Sequence, residues 1–341
     1  MNTAQLHADA ANGVTSAQFV LIKGGRFRMG SDTHYPEEAP VHACDVSNFW
    51  IARHAVTNRE FAAFVAATGY VSVAQRTVTP VPGCNGQTDT LTPGSAVFRP
   101  PIAGSDPRTI NWWVFVPGAS WEAPEGPGSS WIGREDHPVV HVCHVDAQAY
   151  CAWSGTRLPT EAEWEFAARG GLDGCDYAWG DMLAPSGTIP ANIWLGRFPT
   201  QNLKPHAPGT APVGRFAPNG YGLFDMIGNV WEWTSSPHRS HRSVPSVPRC
   251  CRPCRRGDDA AANAESDGSD LTQASEAGAY TVKGGSYLCA WNYCRRFRPA
   301  ARTGHPAEES TGHIGFRCVR TVPAFDVMRA NGHDSRVGRS G

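Results

Sequence analysis

Residues Thr281 to Arg320 read TVKGGSYLCAWNYCRRFRPAARTGHPAEESTGHIGFRCVR. A Gly284-Gly285-Ser286 turn precedes two cysteines five apart, Cys289 and Cys294. Arg295, Arg296, Arg298 and Arg302 follow at once, and a Gly-Phe-Arg-Cys strand closes the stretch at Cys318. The spacing is too wide for a thioredoxin-type CxxC and too isolated for a zinc knuckle, but a turn can bring both sulfurs to one point. Two facing thiolates suit Cu(I), because soft ligands select a soft ion, and the arginines would lower the thiol pKa values. The same pair also suits a redox couple or two inert thiols, and free cysteine is most often a core residue. Chemistry alone leaves these three readings open.

The rest of the chain reads as a scaffold. Its 341 residues suffice for one large domain or two ordinary ones. A formal charge of −1 excludes a long-range field that would gather nucleic acid or an anionic membrane. Glycine (36), proline (27) and tryptophan (12) are abundant, which predicts many turns, short elements and an aromatic-pinned core. Eleven cysteines leave at least one unpaired in a monomer. Residues 1–17 look like a flexible arm without the basic and apolar regions of a secretory signal. No stretch reaches the roughly 20 apolar residues of a membrane span. A cytoplasmic monomer is the expectation, and its thiols should stay reduced.

Along the chain, Phe19–Ile22 and Arg26–Gly30 read as two strands joined by a Gly24-Gly25 turn, and Val46–Ala52 as another. Glu37 and Glu38 read as a solvated face. Thr57 and Glu60 form a capping box that predicts a helix over 58–68 ending at Gly69. Residues 72–135 are irregular, with strand-like pieces at Val97–Arg99 and Trp112–Val116. His137–Cys143 reads as a strand. Its His137 and His141, with His144, lack a carboxylate at zincin spacing. Asp146 is read as the cap of a helix stopping at Gly155, and Thr160 with Glu163 as a capping box for a helix ending at Gly170. Glu161, Glu163 and Glu165 are read as cap and surface residues. Asp225, Gly228, Asn229 and Glu232 place oxygens within eight residues, a set that suits Ca²⁺ or a plain turn. Residues 236–280 read as a flexible insertion. Its Cys250, Cys251 and Cys254, with His238 and His241, lack the paired CxxC arrangement of a strong zinc signature. The tail, 323–341, reads as frayed. There is no internal repeat, Walker loop, dinucleotide fingerprint or nucleophile elbow.

The chain resembles the formylglycine-generating enzymes, the sulfatase-modifying factor family. The matching pieces are Gly24–Gly30, Arg157–Trp164, Asn219–Phe224, Gly228–Trp233, Lys283–Ser286 and Gly315–Cys318, in order over nearly the whole chain. Gly-Gly-Ser-x-x-Cys-x4-Cys followed by Arg-Arg-Phe-Arg-Pro-Ala-Ala-Arg narrows the match to the catalytic branch rather than to sulfoxide synthases or lectin-like modules of the same fold. The resemblance implies a single α+β domain over 18–322, of C-type-lectin-like type, with little regular secondary structure. It implies oxidation by O₂ of a cysteine in an unfolded sulfatase segment of the Cys-x-Pro-x-Arg kind to Cα-formylglycine.

By position it makes Cys289 and Cys294 the Cu(I)-binding catalytic pair. Ser286, Trp231, Tyr293 and Arg302 would line the substrate and oxygen pocket. Asp225, Gly228, Val230 and Glu232 would hold Ca²⁺. A second Ca²⁺ site would begin at Asn192 and Ile193, but its downstream acidic ligand is missing and Lys204 could bring a positive charge there. Cys151 and Cys318 match one family disulfide, as a bridge or as neighbouring thiols. Ala168 and Pro299 stand where secreted relatives have another. The rivals implied by the same fold are a non-haem iron sulfoxide synthase and a non-catalytic peptide-binding paralogue.

Overall fold

The computed structural model describes residues 18–77, 92–101, 112–241 and 278–322. The expected arm (1–17), tail (323–341), most of the 236–280 insertion and Cys250, Cys251 and Cys254 lie outside the described residues. The described chain forms a single α+β domain of short elements. The strands are β1 (Phe19–Ile22), β2 (Gly25–Met29), β3 (His42–Val46), β4 (Phe49–Ala52), β5 (Gly94–Phe98), β6 (Trp113–Pro117), β7 (Trp231–Pro237), β8 (Ala279–Lys283), β9 (Arg302–Pro306), β10 (Ile314–Phe316) and β11 (Val319–Thr321). The helices are α1 (Asn58–Thr68), α2 (His144–Trp153) and α3 (Glu161–Arg169). No helix among the described residues is long and apolar enough to cross a membrane.

One sheet runs β1-β4-β11 and another β10-β7-β8-β9, with two separate pairs, β2-β3 and β5-β6. The first sheet sets the earliest and latest described strands on either side of β4, both antiparallel to it. The chain therefore closes on itself. The glycine turn at 24–25 does not make a hairpin as expected: β1 pairs with β4, and β2 with β3. The apolar residues of β1 find their buried partners in the Phe49–Ala52 strand, and that burial outweighs a local turn.

The capping boxes behave as read. Thr57 accepts from the Glu60 amide and Glu60 from the Thr57 amide, and Gly69 ends α1 in the left-handed region. Thr160 and Glu163 do the same for α3, with Gly170 left-handed. Asp146, however, is no N-cap. The helix starts at His144, and Asp146 Oδ2 accepts from the Cys143 amide at 2.9 Å. Nor is 137–143 a strand. His141 adopts φ 58°, which breaks the extended pattern. The three histidines serve separate partners: Thr210 for His137, Ser95 and the Pro124 carbonyl for His141, the Thr234 carbonyl for His144.

Trp164, Trp233, Phe61, Phe64, Phe49 and Phe316 are fully buried in one core, which Phe297 enters from the Arg-rich stretch. The carboxylates correct the sequence reading most sharply. Glu38, Glu161 and Glu165 are buried, not solvated. Glu165 bonds Lys283 at 2.9 Å and Arg169 at 2.7 Å, and also accepts from the Gly30 amide at 2.8 Å. Burial opposes its charge, but Lys283 and Arg169 outweigh it and hold the carboxyl below its ordinary range. Of Glu161, Glu163 and Glu165, only Glu163 caps, with Arg157 beside it at 2.6 Å.

Glu165→Gln would leave Lys283 and Arg169 short of charge in the core. The expected loss is about 3–5 kcal/mol, read as a lower urea midpoint at unchanged slope. Burial also pushes His141 and His144 down to about 4. An unfolded histidine titrates near 6.5, so between pH 6.5 and 4 the unfolded chain takes up protons that the folded one refuses. Stability should be complete above pH 6.5 and fall as pH drops toward 4, measured as the melting temperature against pH.

Candidate active site

The Gly-Gly-Ser turn can form only with glycine. Gly284 (φ 93°) and Gly285 (φ 73°) are left-handed, and a Cβ on Gly285 would stand 2.6 Å from the Arg296 carbonyl. This contact folds residues 284–286 onto 296–297 and encloses the two cysteines between them. The Cys289 amide donates to the Ser286 carbonyl at 2.9 Å, the Tyr293 amide to Ala290 at 3.2 Å, and the Ala290 amide to the Cys294 carbonyl at 3.1 Å. This tight loop places Cys289 Sγ and Cys294 Sγ 3.4 Å apart. Both are free thiols.

The sulfurs are unequal. Cys289 is buried, while Cys294 is partly open. The hydrogen bond from Cys289 pulls Cys294 down to about 6, and the Arg296 amide and guanidinium add to it against the cost of burial. Cys289 goes the other way, pushed well up by its neighbour and by burial. The pair therefore shares one proton, held on Cys289. The Ser286 amide lies 3.4 Å from Cys289 Sγ, and Arg296 Nη1 lies 3.9 Å from Cys294 Sγ.

The arginines are anchored by the segment that had looked like a solvated loop. Glu37 binds Arg296 at 2.5 Å, and Tyr35 lies under the same guanidinium at 3.9 Å. Glu38 takes Arg298 in a buried fork, and the Arg295 amide donates to the Tyr35 hydroxyl at 3.0 Å. Arg302 is 1% exposed, with its guanidinium on Glu161 and on the Glu37 and Arg239 carbonyls. Tyr35, Glu37 and Glu38 are the functional neighbours that sequence reading missed. The signal was present as a surplus: four arginines in eight residues require carboxylates from elsewhere.

Of the other expected pocket residues, Ser286 and Trp231 are buried and Tyr293 is 54% exposed. Tyr293 stacks on Phe198 at 4.6 Å and meets Trp112 edge-on at 5.6 Å. Trp291 is half exposed, with Arg295 over its ring at 4.0 Å. Tyr293 and Trp112 form an apolar shelf beside Cys294, underlain by the buried Phe98, Trp194 and Phe198. The Trp194 amide donates to the Cys289 carbonyl at 2.9 Å and ties the shelf to the reactive loop.

In the expected calcium cage, Asp225 (φ 52°), Gly228 (φ 77°) and Asn229 (φ 61°) curl the backbone. Glu232 is held by Arg317 at 2.6 Å and by the Trp164 indole at 2.7 Å. Asp225 accepts from the Gly214 amide at 2.7 Å, and burial with Glu232 nearby raises its carboxyl. At the second expected site, Lys204 Nζ sits 2.5 Å from Asn192 Oδ1. Among the described residues no group of three or more His, Cys, Asp or Glu side chains is placed to hold a metal. Cys151 and Cys318 are free, buried thiols 3.7 Å apart.

Comparison with known proteins gives a family. A domain described as sulfatase-modifying factor enzyme 1-like matches residues 3–322. A protein of Mycobacterium tuberculosis named formylglycine-generating enzyme is 48% identical over 309 residues, 89% of this chain and 97% of that protein. One of the same name from Thermomonospora curvata is 45% identical, over 88% of this chain and 92% of its own. The solved structure of PvdO from Pseudomonas aeruginosa shares the fold at TM-score 0.52 and 24% identity, covering 89% of this chain and 94% of its own.

Brief treatment with iodoacetamide at pH 7 should alkylate Cys294 ahead of Cys289, Cys44 and Cys175. Burial raises the last two, and peptide mapping would show the order. The Cys294 labelling rate should rise with a midpoint near pH 6, below the ordinary thiol range.

Proposed function

Because the chain belongs to the sulfatase-modifying factor family, we propose that it converts a cysteine in an unfolded or extended sulfatase segment, of the Cys-x-Pro-x-Arg kind, to Cα-formylglycine with O₂. The observation that carries this reading is the pair of unequal thiols 3.4 Å apart beside an exposed aromatic shelf. The name borne by the close relatives supports the same substrate class.

Two facing sulfurs, one already inclined to ionise, fit Cu(I) as a soft ion. When bound, Cu(I) would supply a soft place for the substrate thiolate and one-electron chemistry toward O₂. The chain's own residues set the conditions. Cys294 gives up its proton first, and Arg296, held by Glu37 and Tyr35, balances the charge. Cys289 keeps its proton against Cys294 until a ligand displaces it. The half-exposed Trp291 and Tyr293 offer flat apolar surface to an extended peptide and its proline. Ser286 turns into the loop beside Cys289, while Trp231 and Arg302 are buried in the scaffold around it. The curled 225–232 segment is read as a Ca²⁺ site with the buried Asp225, which makes no ion pair among those of the described residues, as its charged ligand; Glu232 is already paired with Arg317.

The electron balance is definite. Passing from thiol to aldehyde removes two electrons from the substrate's β-carbon and breaks its C–S bond, and sulfide leaves. O₂ accepts four electrons, so two external thiols supply the second pair and join as a disulfide: RCH₂SH + O₂ + 2 R′SH → RCHO + H₂S + R′SSR′ + H₂O.

The test uses a Cys-x-Pro-x-Arg peptide, copper-loaded protein, O₂ and a thiol reductant. The peptide should lose sulfur and gain an aldehyde that reacts with an aminooxy probe. Cys289→Ser and Cys294→Ser should each cut turnover by about a hundredfold or more. An unchanged peptide mass with the intact, copper-loaded protein would sink the reading.

A further inference from the structure

The site expected at Asn192 and Ile193 does not fit a divalent ion. The oxygen that would face the ion, Asn192 Oδ1, is taken by the Lys204 ammonium at 2.5 Å. No ion pair among the described residues involves Lys204. A Ca²⁺ ion collects several hard oxygens, commonly carboxylates. An ammonium needs only acceptors for three N–H bonds and carries half the charge.

We propose that Lys204 is a built-in cation: its ammonium on Asn192 Oδ1 orders the 192–211 loop in place of a divalent ion at Asn192, so this loop needs no calcium ion of its own.

The bonds run continuously from Lys204 to the reactive loop. Asn192 Nδ2 donates to the Gly209 carbonyl at 3.1 Å and to Asn229 Oδ1 at 3.0 Å. Asn229 is buried and clasps Ala211 through both amide groups, at 2.8 and 3.1 Å. The Asn229 amide donates to the Asn192 carbonyl at 2.8 Å, and the Tyr287 amide to the Asn229 carbonyl at 3.0 Å. Two residues past Asn192, Trp194 bonds Cys289 and bridges Ala290 in parallel. The same loop returns through the Leu203 amide, on the Leu195 carbonyl at 2.8 Å. Asn202 Oδ1 accepts from the Lys204 amide at 3.0 Å and so sets the backbone from which the side chain reaches inward. Lys204 thus closes a ring of polar contacts two bonds from the Cys289 carbonyl. It is a positioning residue, not a catalytic one. Its importance for turnover rests on the reading of Cys289 and Cys294 above, whereas its effect on the loop does not.

Amide hydrogen exchange reads the loop directly, in the full chain and with calcium present. Lys204→Met should speed exchange at the Trp194 and Leu203 amides by about tenfold or more. In the intact protein, removing calcium with EGTA should leave Leu203 exchange unchanged. Equal protection in Lys204→Met, or faster Leu203 exchange in the intact protein after EGTA, would overturn the proposal. The EGTA arm stands even if the variant fails to fold. A missing aldehyde product would count against the proposed reaction and would move neither amide.

Discussion

The ion pairs under the reactive loop are the constraint on which the rest depends. Arg296, Arg298, Arg302 and Lys283 flank the cysteines, and all but Arg296 are almost wholly inside. A buried cation without a counter-charge costs several kcal/mol. The fold must therefore deliver Glu37 and Glu38 from the N-terminal region and Glu161 and Glu165 from α3 to the same place. Such pairs add little net stability, but they tolerate few alternative arrangements. Only one docking of the 36–38 segment and α3 against residues 283–302 satisfies all of them.

That docking gives the loop its chemistry. Arg296 can act on Cys294 only because Glu37 and Tyr35 fix its plane. Cys289 holds its proton because it donates to Cys294 at 3.4 Å and because it is buried. A core that left these parts loose would give two ordinary cysteines. The setting of Arg296 beside Cys294 is produced by packing between segments about 260 residues apart in sequence.

Two side-chain cations reach oxygens of residues expected at the calcium sites. Arg317 neutralises Glu232 within the curled 225–232 segment, and Lys204 sits on Asn192. Asn192 in turn bonds Asn229, whose left-handed backbone lets its side-chain amide and main chain serve Asn192, Ala211 and Tyr287 together. The aromatic shelf and the cysteine loop are thereby joined to one polar hub. The apolar underside of the shelf and the thiols hold their relative places through directional bonds, which apolar contact alone could not specify.

What the sequence determined by itself was local. Thr57-x-x-Glu60 and Thr160-x-x-Glu163 specified two helix starts, because a capping box closes within four residues. The Gly-Gly-Ser-x-x-Cys-x4-Cys run specified a tight turn, because only glycine accepts it there, while the residues alone left its thiols open among a soft-metal pair, a redox couple and inert cysteines. Tertiary structure decided what depends on partners distant in the chain. It paired β1 with β4 rather than β2, and moved the start of α2 ahead of Asp146. It also turned Glu38, Glu161 and Glu165 from apparent surface acids into the buried counter-charges of the site. A carboxylate reads the same in sequence whether water or an arginine answers it. Which one does is decided only when the chain closes around it.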